Sequence, residues 1–128
     1  MNTALARVVE NRRLYGDTYL TWFAAPEAVR GAVPGQFVML RCVEPAVQGE
    51  APAAVLSKDP LLPRPMSVHR LRTGPDGPEW SILYDVVGRG TAWLASRKPG
   101  DLVFCWGPLG HGYSVRRTSQ HLLLVAGG

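Results

Sequence analysis

Arg64-Pro65-Met66-Ser67-Val68-His69-Arg70-Leu71 sets a cation, a rigid turn, a soft apolar side chain and a small hydroxyl at the head of a run that reads as a strand, Met66 to Leu71. Pro65 fixes its own φ and pushes Arg64 towards an extended conformation. Alternation along the strand then sends Arg64 and Met66 to one side and Ser67 to the other. So arranged, the guanidinium can hold an anion while the hydroxyl meets a polar ring edge. An ordinary barrel corner ending in a surface arginine has the same residues, and these positions alone leave both readings open.

On either side of this stretch, short apolar runs are punctuated by 14 glycines and 11 prolines, the pattern of an all-β domain. Leu5 to Glu10 and Thr18 to Ala24 read as strands, with Asn11 to Asp17 as the hairpin connection between them. In the second, Leu20 and Trp22 share one face and Tyr19, Thr21 and Phe23 the other. After Pro34-Gly35, the segment Gln36 to Val43 is apolar on both faces and predicts a strand buried on both sides. Glu44 to Pro63 reads as a mobile surface loop rich in alanine and proline.

Beyond Leu71, Thr73-Gly74-Pro75-Asp76-Gly77-Pro78 is a turn signal. Trp80 to Val87 then alternates cleanly, with Trp80, Ile82, Tyr84 and Val86 on one face. Gly88-Arg89-Gly90-Thr91 leads into a short helix, Ala92 to Arg97, with Thr91 as its expected N-cap. Lys98-Pro99-Gly100-Asp101 stops the helix and opens a last strand, Leu102 to Trp106, and Gly107 to Gly112 reads as irregular. Six strands and one helix predict a closed or nearly closed antiparallel barrel.

The tail breaks the pattern. His121-Leu122-Leu123-Leu124-Val125-Ala126-Gly127-Gly128 runs apolar into paired glycines, as the first strand of a doubly wound nucleotide-binding fold does. The expected division is a barrel over residues 1–118 and the first strand of a second domain over 119–128, within a longer protein.

At 128 residues with 46% hydrophobic content, the chain has room for one domain with a real core. No apolar run approaches the ~20 residues of a membrane span, and Arg7 and Glu10 interrupt anything resembling a signal peptide. The default location is the cytoplasm, with no membrane partner. A net charge of +4 invites a nucleic-acid reading, but the arginines are scattered and form no block. Cys42 and Cys105 lie far apart and read as buried thiols. The three histidines lack ligand spacing, so no metal site is predicted.

No catalytic residue is predicted. Ser67 has His69 two residues on but no orienting acid, and the carboxylates are few and dispersed. Chemistry, if present, belongs to a bound cofactor. Gly88-Arg89-Gly90-Thr91 suits a phosphate, because a helix start offers unpaired N–H groups and glycine permits close approach. A plain turn would read the same way. If the strands are neighbours, Arg64 and this junction can grip a pyrophosphate together. Tyr84 could pack on a ring or simply fill the core, and Asp85 could accept hydrogen bonds from hydroxyls.

Taken in order, Pro34-Gly35-Gln36-Phe37-Val38, the run Asp59 to His69, Tyr84 to Thr91, Lys98-Pro99-Gly100-Asp101 and Gly107 to Tyr113 resemble the flavin domain of the ferredoxin–NADP⁺ reductase superfamily. Within it the likeness is to the electron-transfer subunit of NAD-dependent (class 1B) dihydroorotate dehydrogenase, a pyrimidine-biosynthesis enzyme. The resemblance implies a six-stranded antiparallel Greek-key barrel that holds FAD. By that likeness Arg64 would bind the FAD phosphates with Pro65 and Met66 beside it, and Ser67 would sit near the flavin ring. Leu83, Tyr84 and Asp85 would line the cofactor, while Gly90 and Thr91 would cap its pyrophosphate. It further implies electrons relayed between a catalytic flavoprotein subunit and NAD through FAD and a [2Fe–2S] cluster, in a heterotetramer. The binding regions for cluster and NAD would lie past Gly128. The chain departs from the pattern at Pro63, where a second basic residue is usual, and at Asp85, often basic in relatives. Competing expectations are another flavin reductase, a hydrogenase-type electron-transfer subunit, or a non-catalytic β-barrel binding module.

Overall fold

A computed structural model describes residues 2–46, 48–49, 60 and 62–127. Seven strands appear in chain order: β1 (Asn2–Tyr15), β2 (Thr18–Ala24), β3 (Phe37–Leu40), β4 (Arg64–Ser67), β5 (Arg70–Gly74), β6 (Gly77–Asp85) and β7 (Leu102–Leu109). A 3₁₀ turn, Pro26–Val29, follows β2, and the helix α1 (Arg89–Ala95) lies between β6 and β7. They form one antiparallel sheet in the order β4-β3-β7-β1-β2-β6-β5. In this order β7 returns between β1 and β3 and β6 pairs with β2, long connections of the Greek-key kind.

The strand count is seven rather than six because the expected strand Met66 to Leu71 divides at Val68-His69. Its first arm pairs with β3, Phe37 opposite Ser67 and Leu40 opposite Arg64. Its second arm pairs with β6, Arg70 opposite Ser81. These arms are the two outer strands of the sheet, yet only two residues separate them. Three extended residue steps reach at most about 10 Å, so the sheet must curl until its edges nearly meet. The linker bonds both sides: Val68 N–H donates to Gln36 O at 3.3 Å and His69 N–H to Ser81 O at 2.8 Å. One chain segment thus closes the barrel, and the fold expected from the sequence is present with this break in it.

Other boundaries differ for local reasons. β1 runs through the segment expected to be the hairpin connection, so that Gly16-Asp17 alone makes the turn, with Gly16 at φ +49°. The turn before β6 is likewise tighter than expected, β6 beginning at Gly77, whose φ of +125° suits glycine. β7 continues through Gly107-Pro108 to Leu109. α1 starts at Arg89 with Gly88 as N-cap, three residues before the expected Thr91 cap. Thr91 sits three residues into the helix and reaches back, its Oγ1 accepting from Val87 N–H at 2.9 Å and Gly88 N–H at 3.1 Å.

The barrel interior follows from the alternation. Trp80, Ile82 and Tyr84 of β6 point inward with Phe23 of β2, Val38 and Leu40 of β3, and Val103 and Cys105 of β7. Phe23 and Trp80 stack with ring centroids 4.7 Å apart, and Trp80 Nε1–H satisfies its polar edge on Ala25 O at 3.0 Å. Leu94 of α1 is fully buried, so the helix stops one end of the core. Most of the expected loop Glu44 to Pro63 lies outside the described residues. The tail His121–Gly127 has no regular structure, pairs with no strand among the described residues and leaves Leu122 to Val125 exposed. No helix among the described residues is long and apolar enough to cross a membrane.

Candidate functional site

β4 holds Arg64 and Met66 on the half-buried side and Pro65 and Ser67 on the exposed side, as the alternation predicts. Arg64 is the element's first residue and its side chain crosses to α1. An ideal Cβ on Gly90 would stand 2.8 Å from Arg64 Nε, 3.1 Å from Cγ and 3.4 Å from Cζ. The guanidinium therefore lies in space that only glycine leaves vacant. Nη1 of Arg64 also donates to Leu62 O at 2.6 Å, which ties the side chain to its own approach strand.

The same corner presents the first turn of α1. Ala92 N–H makes the helix's opening bond to Gly88 O at 2.9 Å, so the N–H groups of Gly90 and Thr91 are not used in the helix's own ladder. Gly90 and Thr91 are both buried. The Thr91 hydroxyl is committed to its backbone, donating to Gly88 O at 3.1 Å while accepting from two N–H groups. Any ligand contact here falls to backbone rather than to that hydroxyl.

Tyr84 is in the core, 7% exposed. Its ring stacks near Tyr19 with centroids 6.1 Å apart, and its hydroxyl meets Thr21 Oγ1 at 3.2 Å. Burial pushes the hydroxyl up to about 12, so it stays protonated. Cys42 is an electrostatic neighbour of both Arg64 and Tyr84: burial pushes its thiol up to about 11, and the Arg64 charge holds back part of that rise. Leu83 and Asp85 face outward and are exposed. Asp85 accepts a hydrogen bond from Thr18 Oγ1, its register partner on β2.

Ser67 opens on the other side of β4, into a cleft of about 470 Å³ shared with Gln36, His69, Arg70 and Tyr113. Gln36 braces this cleft by donating to Gly110 O at 2.9 Å and accepting from Val33 N–H at 3.0 Å. Tyr113 lies against Gly35, where a Cβ would come within 3.3 Å of its ring. The structure thus joins Arg64, Gly90 and Thr91 at one corner and sets Ser67 beside a cleft next to it. Tyr84 is in the wall behind, and Leu83 and Asp85 are on the outer surface. Gln36 and Tyr113 belong to the stretches that carry the family resemblance, but their part in the cleft depends on tertiary packing.

Curated relatives match nearly the whole chain. The dihydroorotate dehydrogenase B (NAD(+)) electron transfer subunit of Desulforamulus reducens is 39% identical over 96% of this chain and 42% of its own length. The Clostridium acetobutylicum subunit of the same name is 34% identical over 95% of this chain and 42% of its own. The chain is a homologue of part of these electron-transfer subunits. It spans less than half of their length. Among solved structures, an NADH-dependent reduced ferredoxin–NADP oxidoreductase superposes with a TM-score of 0.62 at 27% identity, over 87% of this chain and 34% of that one. The ferredoxin reductase of a carbazole 1,9a-dioxygenase gives 0.58 at 28% identity, over 84% and 29%. A siderophore-interacting protein from Acinetobacter shares the fold at 16% identity, with a TM-score of 0.60 over 94% of this chain and 45% of that one. No family model matches. The barrel is that of ferredoxin reductases, and its homologues are oxidoreductase electron-transfer components.

Proposed function

We propose that this chain is the FAD-binding part of a dihydroorotate dehydrogenase electron-transfer subunit. The observation that supports this most directly is Arg64 resting on Gly90 beside the start of α1, which concentrates a fixed positive charge and backbone donors at one corner. Arg64 would hold a phosphate by charge-assisted hydrogen bonds. Gly90 leaves room for the arginine, and the backbone N–H groups of Gly90 and Thr91 supply neutral donors. Pro65 and Met66 set the direction of the strand. Ser67 would offer its hydroxyl to a ring edge in the adjoining cleft, and the exposed Leu83 and Asp85 would line the cofactor's outer reach, with Tyr84 supporting from behind. FAD, when bound, supplies the capacity to accept and release electrons.

Residues 1–118 would be the flavin barrel and 119–128 the first strand of a nicotinamide-binding domain. Electrons would pass between a catalytic flavoprotein partner, as part of a heterotetramer, and NAD, in the cytoplasm. A [2Fe–2S] cluster does not fit the described residues: Cys42 and Cys105 are buried and free, and no group of three or more candidate ligands occurs among those residues. In this proposal the cluster and NAD sites belong to the portion of the relatives that the match does not reach.

The test is the visible absorption of the purified protein, followed by titration of apoprotein with FAD. A flavin spectrum and saturable binding are expected. Colourless protein that takes up no added FAD would reduce the barrel to a binding module.

A further inference from the structure

Asn11 was expected to be part of a connecting loop. It lies instead within β1, between two irregularities in that strand's pairing with β2. Its Nδ2 comes within 3.1 Å of Leu94 O and 3.1 Å of Ala95 O, the last two carbonyls of α1, and 2.7 Å of Arg97 O two residues beyond the helix. Only the NH₂ end of the amide can face three acceptors, so Oδ1 must point the other way. There it accepts from Thr21 Oγ1 at 2.8 Å. Thr21 has one hydrogen and gives it to Asn11, which leaves the Tyr84 hydroxyl to donate to Thr21 across their 3.2 Å contact. The bonds run one way, from Tyr84 through Thr21 and Asn11 to the end of the helix.

This matters because α1 is short. Two turns of helix are marginal by themselves, and their last carbonyls need partners from beyond the helix; Leu94 O also accepts from Arg97 N–H at 3.1 Å. A barrel strand that reaches across to cap those carbonyls decides where the whole helix sits. Leu94, fully buried, fixes its depth, and Asn11 fixes its end. Gly90, one turn earlier, is the surface on which the Arg64 side chain lies.

We propose that Asn11 is a positioning residue for Arg64: it anchors α1 from its C-terminal end, and so places Gly90 where the guanidinium can rest and face a phosphate. This rests on the FAD reading above and adds to it a residue whose side-chain hydrogen bonds, among the described residues, go to backbone carbonyls and Thr21.

The experiment is a double-mutant cycle in the intact protein, with FAD affinity measured by fluorescence titration and folding checked by circular dichroism. Asn11→Asp keeps the shape, cannot donate, and sets a negative charge against helix carbonyls; Asn11→Ala removes the side chain should the aspartate fail to fold. Either change is expected to weaken FAD binding about tenfold in the wild-type background. In the Arg64→Ala background the same change should cost clearly less, because the arginine it positions is gone and only the displaced Gly90 and Thr91 N–H donors are left to lose. Equal losses in both backgrounds, or no loss in either, overturn the positioning role while leaving the FAD reading intact. A wild-type protein that binds no FAD overturns both. Thr21→Val supplies a second check: it cuts the link to Tyr84 but leaves the Asn11 bonds to the helix, and it should weaken FAD binding less than Asn11→Asp.

Discussion

Arg64 and Gly90 are 26 positions apart in the chain, and a single methyl group on Gly90 would stand 2.8 Å from the arginine's Nε. That distance is shorter than carbon and nitrogen tolerate without a bond between them. The two residues are therefore fitted to each other, and their fit makes the corner between β4 and α1 a cationic one.

Replacing Arg64 with alanine removes that charge. A charge-assisted contact to phosphate is worth roughly 1.5–3 kcal/mol, so FAD affinity should fall about tenfold to a hundredfold. Titration of the apoprotein checks this, and an unchanged affinity would remove Arg64 from the site.

Gly90→Ala separates stability from binding. Alanine suits a helix better than glycine by about 0.5–1 kcal/mol, but its Cβ would push Nε and Cγ of Arg64 aside. The variant should melt no lower than wild type and still bind FAD several-fold more weakly, by the loss of part of a contact. Matched thermal melts and titrations would show it; a parallel loss of both properties would contradict the fit of Arg64 to Gly90.

Gly107→Ala tests the barrel itself. Its Cβ would meet Val38 Cγ1 at 2.8 Å, Ala28 O at 3.0 Å and Phe37 O at 3.3 Å. Two of these are backbone atoms held by β3 and the 3₁₀ turn, which cannot retract as a side-chain end can. Overpacking of this kind costs about 1–3 kcal/mol, measurable as a lower midpoint in urea unfolding.

Stability should also fall in alkali. Burial pushes the Cys105 thiol from 9.0 up to about 12 and that of Cys42 up to about 11, and the Tyr84 hydroxyl from 10.0 up to about 12. Between pH 9 and 12 the unfolded chain gives up protons that the folded chain keeps. The folded state then binds more protons, so unfolding stability declines as pH rises, by up to ~1.4 kcal/mol per pH unit for each group. Below pH 9 this contribution is fully present. Urea melts at pH 7.5, 9 and 10.5 check the trend, and Cys105→Ala should make the decline shallower.

Particular residues show how far the chain could be read in advance. Trp80, Ile82 and Tyr84 were legible as one inward face because a strand's side chains alternate whatever it pairs with. Arg64 and Gly88-Arg89-Gly90-Thr91 were legible as phosphate-competent pieces, since the relevant groups are those residues' own. Asn11 was not: its helix partners are 83 to 86 positions away, and an asparagine in a polar run reads as a turn. Nor was the Thr91 cap, displaced because a threonine in a helix's first turn can reach back to the same N–H groups that a capping residue serves.

Local composition alone determined that this is a small all-β domain with one short helix, because periodicity and turn-forming residues act over a few positions. Tertiary structure decided that Met66 to Leu71 splits into two arms, since whether a strand breaks depends on which neighbours bond each half. It also decided that Arg64 meets Gly90, because a contact between distant segments exists only once the sheet has curled and its two edges have come together.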